Sequence, residues 1–187
     1  MGQKVAAFDS NGNIVAYYDS VDSPVPAGLT NVIEITDAQW QACLASPGYK
    51  IVGGALVAPP APTTAQLLAQ AQAAQIAKAS TACAAALVAG FASSALGSVH
   101  TYPSQDADQR NLQSAALASQ GQPSSWSTPI WCSNGGTWAL TPHTAAQVQQ
   151  VNADWLAFRV AAQQKYASLI GQINAAATVS AVQAIVW

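Results

Sequence analysis

The sequence predicts an α+β protein: a small N-terminal module of β-hairpins with one helix, then a mainly helical domain holding a long alanine-rich helix, a short antiparallel β-meander and a long C-terminal amphipathic helix. Three observations carry this. Short runs of β-branched and aromatic residues around Asn-Gly and Gly-Gly turns fill residues 1–58. A proline cluster at 59–63 interrupts the chain. Beyond it, from residue 64 to 187, Ala, Gln and Leu dominate, with apolar residues at spacings of three and four.

The first hairpin is expected over residues 4–18, where Val5, Phe8, Ile14, Val15, Tyr17 and Tyr18 flank Asn11-Gly12, a pair suited to the positive φ angles of a tight turn. Val32 to Ile35 reads as a further strand after a Pro-containing loop. Thr36 with Gln39 three residues later forms a capping-box pattern, and Trp40, Cys43 and Leu44 give one short helix that Pro47-Gly48 ends. Tyr49 to Val52 and Ala55 to Val57 make a second hairpin around Gly53-Gly54. Pro59-Pro60-Ala61-Pro62 lacks backbone donors at its prolines and favours extended geometry, so it reads as a semi-rigid linker.

Thr63 or Thr64 caps the long helix, predicted to run to about Phe91. Its bulk (Leu67, Leu68, Ile76, Leu87, Val88, Phe91) is sparse, and the alanines between permit close approach of another backbone, either within a bundle or at an oligomer seam. Ser98 to Tyr102 is a predicted strand, and Ser104 or Asp106 caps a helix to about Ser119, broken at Gly121 to Pro123. Ile130 to Ser133 and Gly136 to Ala139 form a hairpin. An Asn134-Gly135 turn would set Trp131 directly opposite Trp138, either as a staple worth ~0.5–1.5 kcal/mol beyond area burial or as an exposed platform for a partner. Thr141 and Pro142 are expected to start the last long helix, whose buried stripe is Val148, Val151, Trp155, Phe158, Ala162, Tyr166, Leu169 and Ile173. Thr178 caps a final short helix with Val179, Val182, Ile185 and Val186, and the terminal Trp187 is expected to dock.

Composition narrows the function. Of 187 residues, 51% are hydrophobic and only 7% charged, against roughly 25% charged in an ordinary soluble domain. A surface of small uncharged side chains is cheaply desolvated by another protein, which suits assembly. The net charge is −2, and Lys4, Lys50, Lys78, Arg110, Arg159 and Lys165 are scattered, which argues against a nucleic-acid partner. The longest apolar stretch, Ala82 to Ala92, is about half the ~20 residues of a membrane span, and no secretory or myristoylation signal is seen at the N-terminus, where position 6 is Ala6. No membrane insertion is expected, and synthesis in the cytoplasm without export is. Cys43, Cys83 and Cys132 are isolated and odd in number, and read as small semi-buried hydrophobes.

Catalytic patterns are weak. His100 and His143 lack adjacent nucleophile or ligand patterns and read as polar edge residues, and Glu34 is the single glutamate. The densest polar cluster, His100, Ser104, Asp106, Asp108 and Asn111, would need its loop to fold back to form a triad or a cation site, and helix capping already accounts for Ser104 and Asp106. No cofactor or metal site is expected, and no enzymatic activity. The candidate partner contacts are the exposed-type aromatics Tyr17, Tyr18, Trp126, Trp131 and Trp138.

Gly97-Ser98-Val99-His100-Thr101-Tyr102-Pro103-Ser104, then Asp108-Gln109-Arg110-Asn111-Leu112, a Trp-containing hairpin (Trp131 to Leu140), a Thr-Pro before a long helix, Ile173-Asn-Ala-Ala176 and a closing Val-Trp follow one another in order. In these, residues 63 to 187 resemble a domain of unknown function encoded beside tail-fibre genes in phages and prophages of proteobacteria. Val5 to Tyr18, with Val32 to Ile35 and the Gly53-Gly54 hairpin, look like the small opening domain of tail-fibre assembly proteins. The resemblance implies a tail-fibre or baseplate partner and a place in the virion tail. The alternatives are an assembly chaperone that leaves before maturation, with the proline segment as a hinge, and a glycan- or cell-wall-active enzyme centred on His100, Asp106 and Asp108. From the symmetry of trimeric fibres, the resemblance implies either a homo-oligomer, with a trimer as the expected form, or a pseudo-symmetric attachment.

Overall fold

The computed structural model describes residues 2–187, and its architecture is the α+β class expected. The chain forms two compact units, Met1–Pro62 and Thr63–Trp187.

In the first unit, β1 (Lys4–Phe8) is the middle strand of an antiparallel sheet, flanked by β2 (Ile14–Asp19) and β3 (Val32–Ile35). The helix α1 (Asp37–Ala45) starts at Thr36, whose hydroxyl accepts the Gln39 N–H while the Gln39 side chain accepts the Thr36 N–H. Lys4 pairs with Asp19 in a buried ion pair, and the Lys4 ammonium also sits 4.4 Å from the centre of the Trp40 ring. The Lys4 partner, and next the Val21 N–H, hold the Asp19 carboxyl at about 2, below its ordinary value. The hairpin β4 (Lys50–Val52) with β5 (Ala55–Val57) meets the β1–β2 turn, where the Ile51 N–H donates to the Gly12 carbonyl at 2.8 Å.

Gly12 has φ of 77°, and a Cβ there would lie 2.1 Å from the Ile51 carbonyl oxygen, so both backbone strain and a clash with main chain oppose any side chain. Gly12→Ala is expected to cost about 1–3 kcal/mol of this unit's stability. The Ile51 amide should exchange with solvent at least about tenfold faster, since each 1.4 kcal/mol is a factor of ten; unchanged protection would refute the contact.

In the second unit, α2 (Thr64–Val88) begins with a capping box between Thr63 and Gln66. It stops three residues short of the predicted end. Gly90, with φ of 100°, turns the chain, and Phe91 belongs instead to β6 (Phe91–Ser93), a strand the alanine-rich sequence hides. β6 pairs with β7 (His100–Tyr102). Ser104 does not cap the next helix. Buried, it donates to the Leu87 carbonyl at 2.8 Å and accepts the Gly90 N–H at 2.9 Å, tying the end of α2 to the chain that leads into α3 (Asp106–Ala118). Nor does Asp106 cap it: Gln105 holds that position, and its N–H is taken by Asp108 at 3.0 Å.

β8 (Ser127–Asn134) and β9 (Thr137–Thr144) complete a sheet of order β6-β7-β8-β9 and extend well beyond the predicted hairpin. The final long helix therefore starts later than Thr141-Pro142: α4 spans Ala145–Ala175, because Thr144, not Thr141, has a Gln three residues on to close the capping box. Its inward residues follow the expected stripe, with Val148, Val151, Trp155, Ala162, Leu169 and Ile173 buried and Phe158 and Tyr166 half-buried.

The sheet lays Phe91, Tyr102 and Cys132 against Val151 and Trp155 of α4 and Leu112 of α3. Phe91 lies 5.5 Å from Tyr102 and 5.3 Å from Trp155 between ring centres. Gln75, Ala79 and Cys83 of α2 are buried at a spacing of four, and the Cys83 thiol reaches the Ala162 carbonyl at 3.8 Å, so small side chains bring α2 close to α4 within the chain. The C-terminal segment docks as expected. Val182 of α5 (Val179–Gln183) has no exposed surface, the Gln75 amide donates to the Ile185 carbonyl, the Gln72 amide donates to the Ile173 carbonyl at 3.1 Å, and Lys165 covers the Trp187 ring at 4.5 Å.

Candidate functional site

The two strands β8 and β9 pair from Ser127↔Thr144 to Asn134↔Thr137, which leaves Gly135-Gly136 as the turn. Both glycines have positive φ, 57° and 88°, as a two-residue hairpin turn of this hand requires. An Asn134-Gly135 turn would have asked the same of Asn134, and among the described residues no non-glycine residue has positive φ. The register therefore differs from the predicted one. Trp131 faces Leu140, and Trp138 faces Ser133.

Alternation then sorts the hairpin into two faces. Cys132 and His143 are buried toward α4, whereas Trp131, Trp138 and Leu140 are 52%, 49% and 52% exposed on the opposite face. Two tryptophans and a leucine thus lie half in water on one small sheet surface, and Trp131 does not sit directly opposite Trp138 as a cross-strand pair. Leu140 is the member sequence reasoning missed, although the Trp138-Ala-Leu140 alternation carries its signal. Beside the face, a cleft of about 380 Å³ is lined by the buried Phe91, Tyr102 and Leu112 together with Asp108, Asn111 and Trp131. No Asp, Glu, Lys or Arg occurs between Arg110 and Asp154, so β8, β9 and their loops carry no formal charge.

His143 corrects its predicted role as an edge residue. It is wholly buried, with Nδ1 2.8 Å from the Thr141 carbonyl and Nε2 2.8 Å from the Tyr102 hydroxyl. A carbonyl only accepts, so Nδ1 carries the proton and Nε2 accepts from Tyr102. Burial pushes the His143 imidazole below its ordinary value and the Tyr102 phenol above its own. His100 stays at the surface end of β7, its Nδ1 2.9 Å from the Ser98 carbonyl. Ser104 is buried and Asp108 is bound to Gln105, so both are held in structural bonds. Among the described residues, no three of His, Cys, Asp or Glu are grouped to hold a metal ion, and no helix is long and apolar enough to cross a membrane. All three cysteines are buried and free.

Of the other candidate contacts, Trp126 is half-buried in the loop before β8, its N–H bonded to the Pro123 carbonyl at 2.9 Å. Tyr17 and Tyr18 are half-buried on β2 of the first unit. Burial, and then the Cys43 thiol, push the Tyr17 phenol up to about 12, marking an inward environment.

The second unit is thus an α+β domain with an uncharged aromatic sheet face. The chain belongs to the family described as a domain of unknown function (DUF4376), whose model matches residues 70–186. No curated protein and no solved structure matches the chain.

Proposed function

We propose that this chain is a structural, tail-fibre-associated protein of a tailed bacteriophage, made in the host cytoplasm and held in the virion tail by protein–protein contacts with the fibre or baseplate. The observation that carries a binding role is the exposed face of Trp131, Trp138 and Leu140 on an uncharged hairpin. Half-exposed tryptophans are the residue type that dominates interface energies, and an uncharged surround costs little to dehydrate. The tail-fibre assignment rests on the resemblance of residues 63 to 187.

Mass spectrometry of density-purified particles tests this directly. A fixed small-integer ratio to the fibre protein supports the virion role, whereas absence from particles with abundance in the infected-cell lysate assigns a chaperone role instead. The face is tested by Trp131→Ala with Trp138→Ala. Hot-spot truncations cost about 2 kcal/mol each, so the pair should lower the chain's affinity for its particle by at least about 100-fold. Both rings are already half in water, so the far-UV spectrum should be preserved; full incorporation of the double variant would rule the face out.

A further inference from the structure

β9 is the outer strand of its sheet, eight residues long. Natural sheet edges are guarded by charges, bulges, prolines or shortness, because a free edge presents unpaired N–H and C=O groups. The opposite edge, β6, has three residues. β9 has no charged residue, its register with β8 is unbroken, and its one guard is Pro142 near the far end.

The pairing fixes which backbone groups are free. Pro129 lies directly opposite Pro142, and two prolines cannot exchange N–H bonds, so this is a non-hydrogen-bonded pair. Alternation makes Trp131↔Leu140 and Ser133↔Trp138 non-hydrogen-bonded pairs too, and leaves Asn134↔Thr137 as the bonded pair that closes a two-residue turn. The Thr144 N–H, of the same parity, is turned to the Gln147 side chain at 2.8 Å and not to β8. Trp138 and Leu140 therefore aim their N–H and C=O groups out of the free edge.

We propose that β9 pairs antiparallel with β9 of a second copy about a two-fold axis at Ala139. In that register Trp138 meets Leu140 of the other copy, and each N–H of the two residues finds a carbonyl, giving roughly four backbone hydrogen bonds. A register centred on Leu140 is worse, since it would set Trp138 against the donor-less Pro142. The second copy is the occupant because the edge is its own complement: alternate outward donors and acceptors, an apolar residue beside an apolar residue, and no charge to repel its like. Pairing at the edge leaves the sheet face open and joins two Trp131–Leu140–Trp138 faces into one. What the doubled face binds rests on the reading above; the pairing does not.

The full chain is examined by sedimentation velocity from about 1 to about 200 µM, a range that brackets micromolar association. The expected result is a reversible dimer that Leu140→Pro, which removes an outward donor but no β8 bond, and Leu140→Lys both shift to monomer, by at least about tenfold in Kd. Because the free Cys132 thiol lies directly opposite position 139 on β8, Ala139→Cys is made in a Cys132→Ala background, where it reads the register independently. Facing residues of a non-hydrogen-bonded pair lie ~4.5 Å apart at Cα, within disulfide reach, so mild oxidation should link two copies of this variant. Gln113→Cys, exposed on α3, should stay unlinked. A chain that remains monomeric throughout, a trimer, or a dimer that neither Leu140 variant weakens and Ala139→Cys does not trap would overturn the proposal. Loss of particle binding in the Trp131 and Trp138 variants with the dimer intact would leave it standing.

Discussion

Trp155→Ala is expected to lower the stability of the second unit by about 3–5 kcal/mol, the range for deleting a large buried aromatic side chain. Trp155 is 9% exposed and joins three elements: its ring lies 5.3 Å from Phe91 of β6 and 5.9 Å from Phe158 of α4, within the cluster that Leu112 of α3 also enters. No small shift of α4 refills that space, because α4 is also held by α2 at Cys83–Ala162. Domains are stable by only about 5–15 kcal/mol, so the loss is a large share of the total. In urea titration the midpoint should fall by at least about 1 M with the slope unchanged. Leu156→Ala, one residue on and 48% exposed, should cost under about 1 kcal/mol. Equal losses in the two variants would mean that this cluster is not the core.

The α4 stripe was legible because bulky residues recur at three and four over seven turns, and only one face of a helix satisfies that spacing. The caps at Thr36, Thr63 and Thr178 were legible for the same local reason, a hydroxyl before a helix start. The start of α4 was in the sequence but masked: Thr141-Pro142 is a helix-opening pattern, and the choice of Thr144 depends on β9 continuing to pair with β8 through Ser127. β6 was not legible. Three residues after an alanine-rich helix carry no period of their own, and Phe91 is strand only because Tyr102 pairs with it.

The exposed aromatic face was half legible. Its two tryptophans and the hairpin stand out in the sequence, but whether they point in or out depends on the turn by a single position. Asn134-Gly135 and Gly135-Gly136 are both acceptable turn pairs, and pairing of the outer residues, out to Thr128 with His143, selects the second. The buried role of His143 follows from the same register, since it lies on the face that Cys132 turns toward α4. Long-range pairing, not local pattern, assigned both.

That burial gives the second large expected effect, a loss of stability in mild acid. In the folded chain the Thr141 carbonyl and the Tyr102 hydroxyl fit neutral His143, and burial holds its pKa below the ordinary value of ~6.5. The Thr141 carbonyl opposes this and His100 adds to it, while burial, then Cys132 and Asp154, push the neighbouring Tyr102 phenol up. On unfolding, His143 regains its ordinary affinity for a proton. The unfolded chain then binds more protons below about pH 6.5, so the stabilisation is complete above that pH and falls as pH drops through it, by up to about 1.4 kcal/mol per pH unit. The Lys4–Asp19 pair cannot produce a fall there, because an Asp held at about 2 gives up its contribution only between roughly pH 4 and 2. Urea midpoints between pH 8 and pH 5 should decline in the native chain. His143→Gln should begin lower at pH 8 and run nearly flat, since it has no imidazole to charge. Parallel curves for the two proteins would show that the buried imidazole takes no part in the acid response.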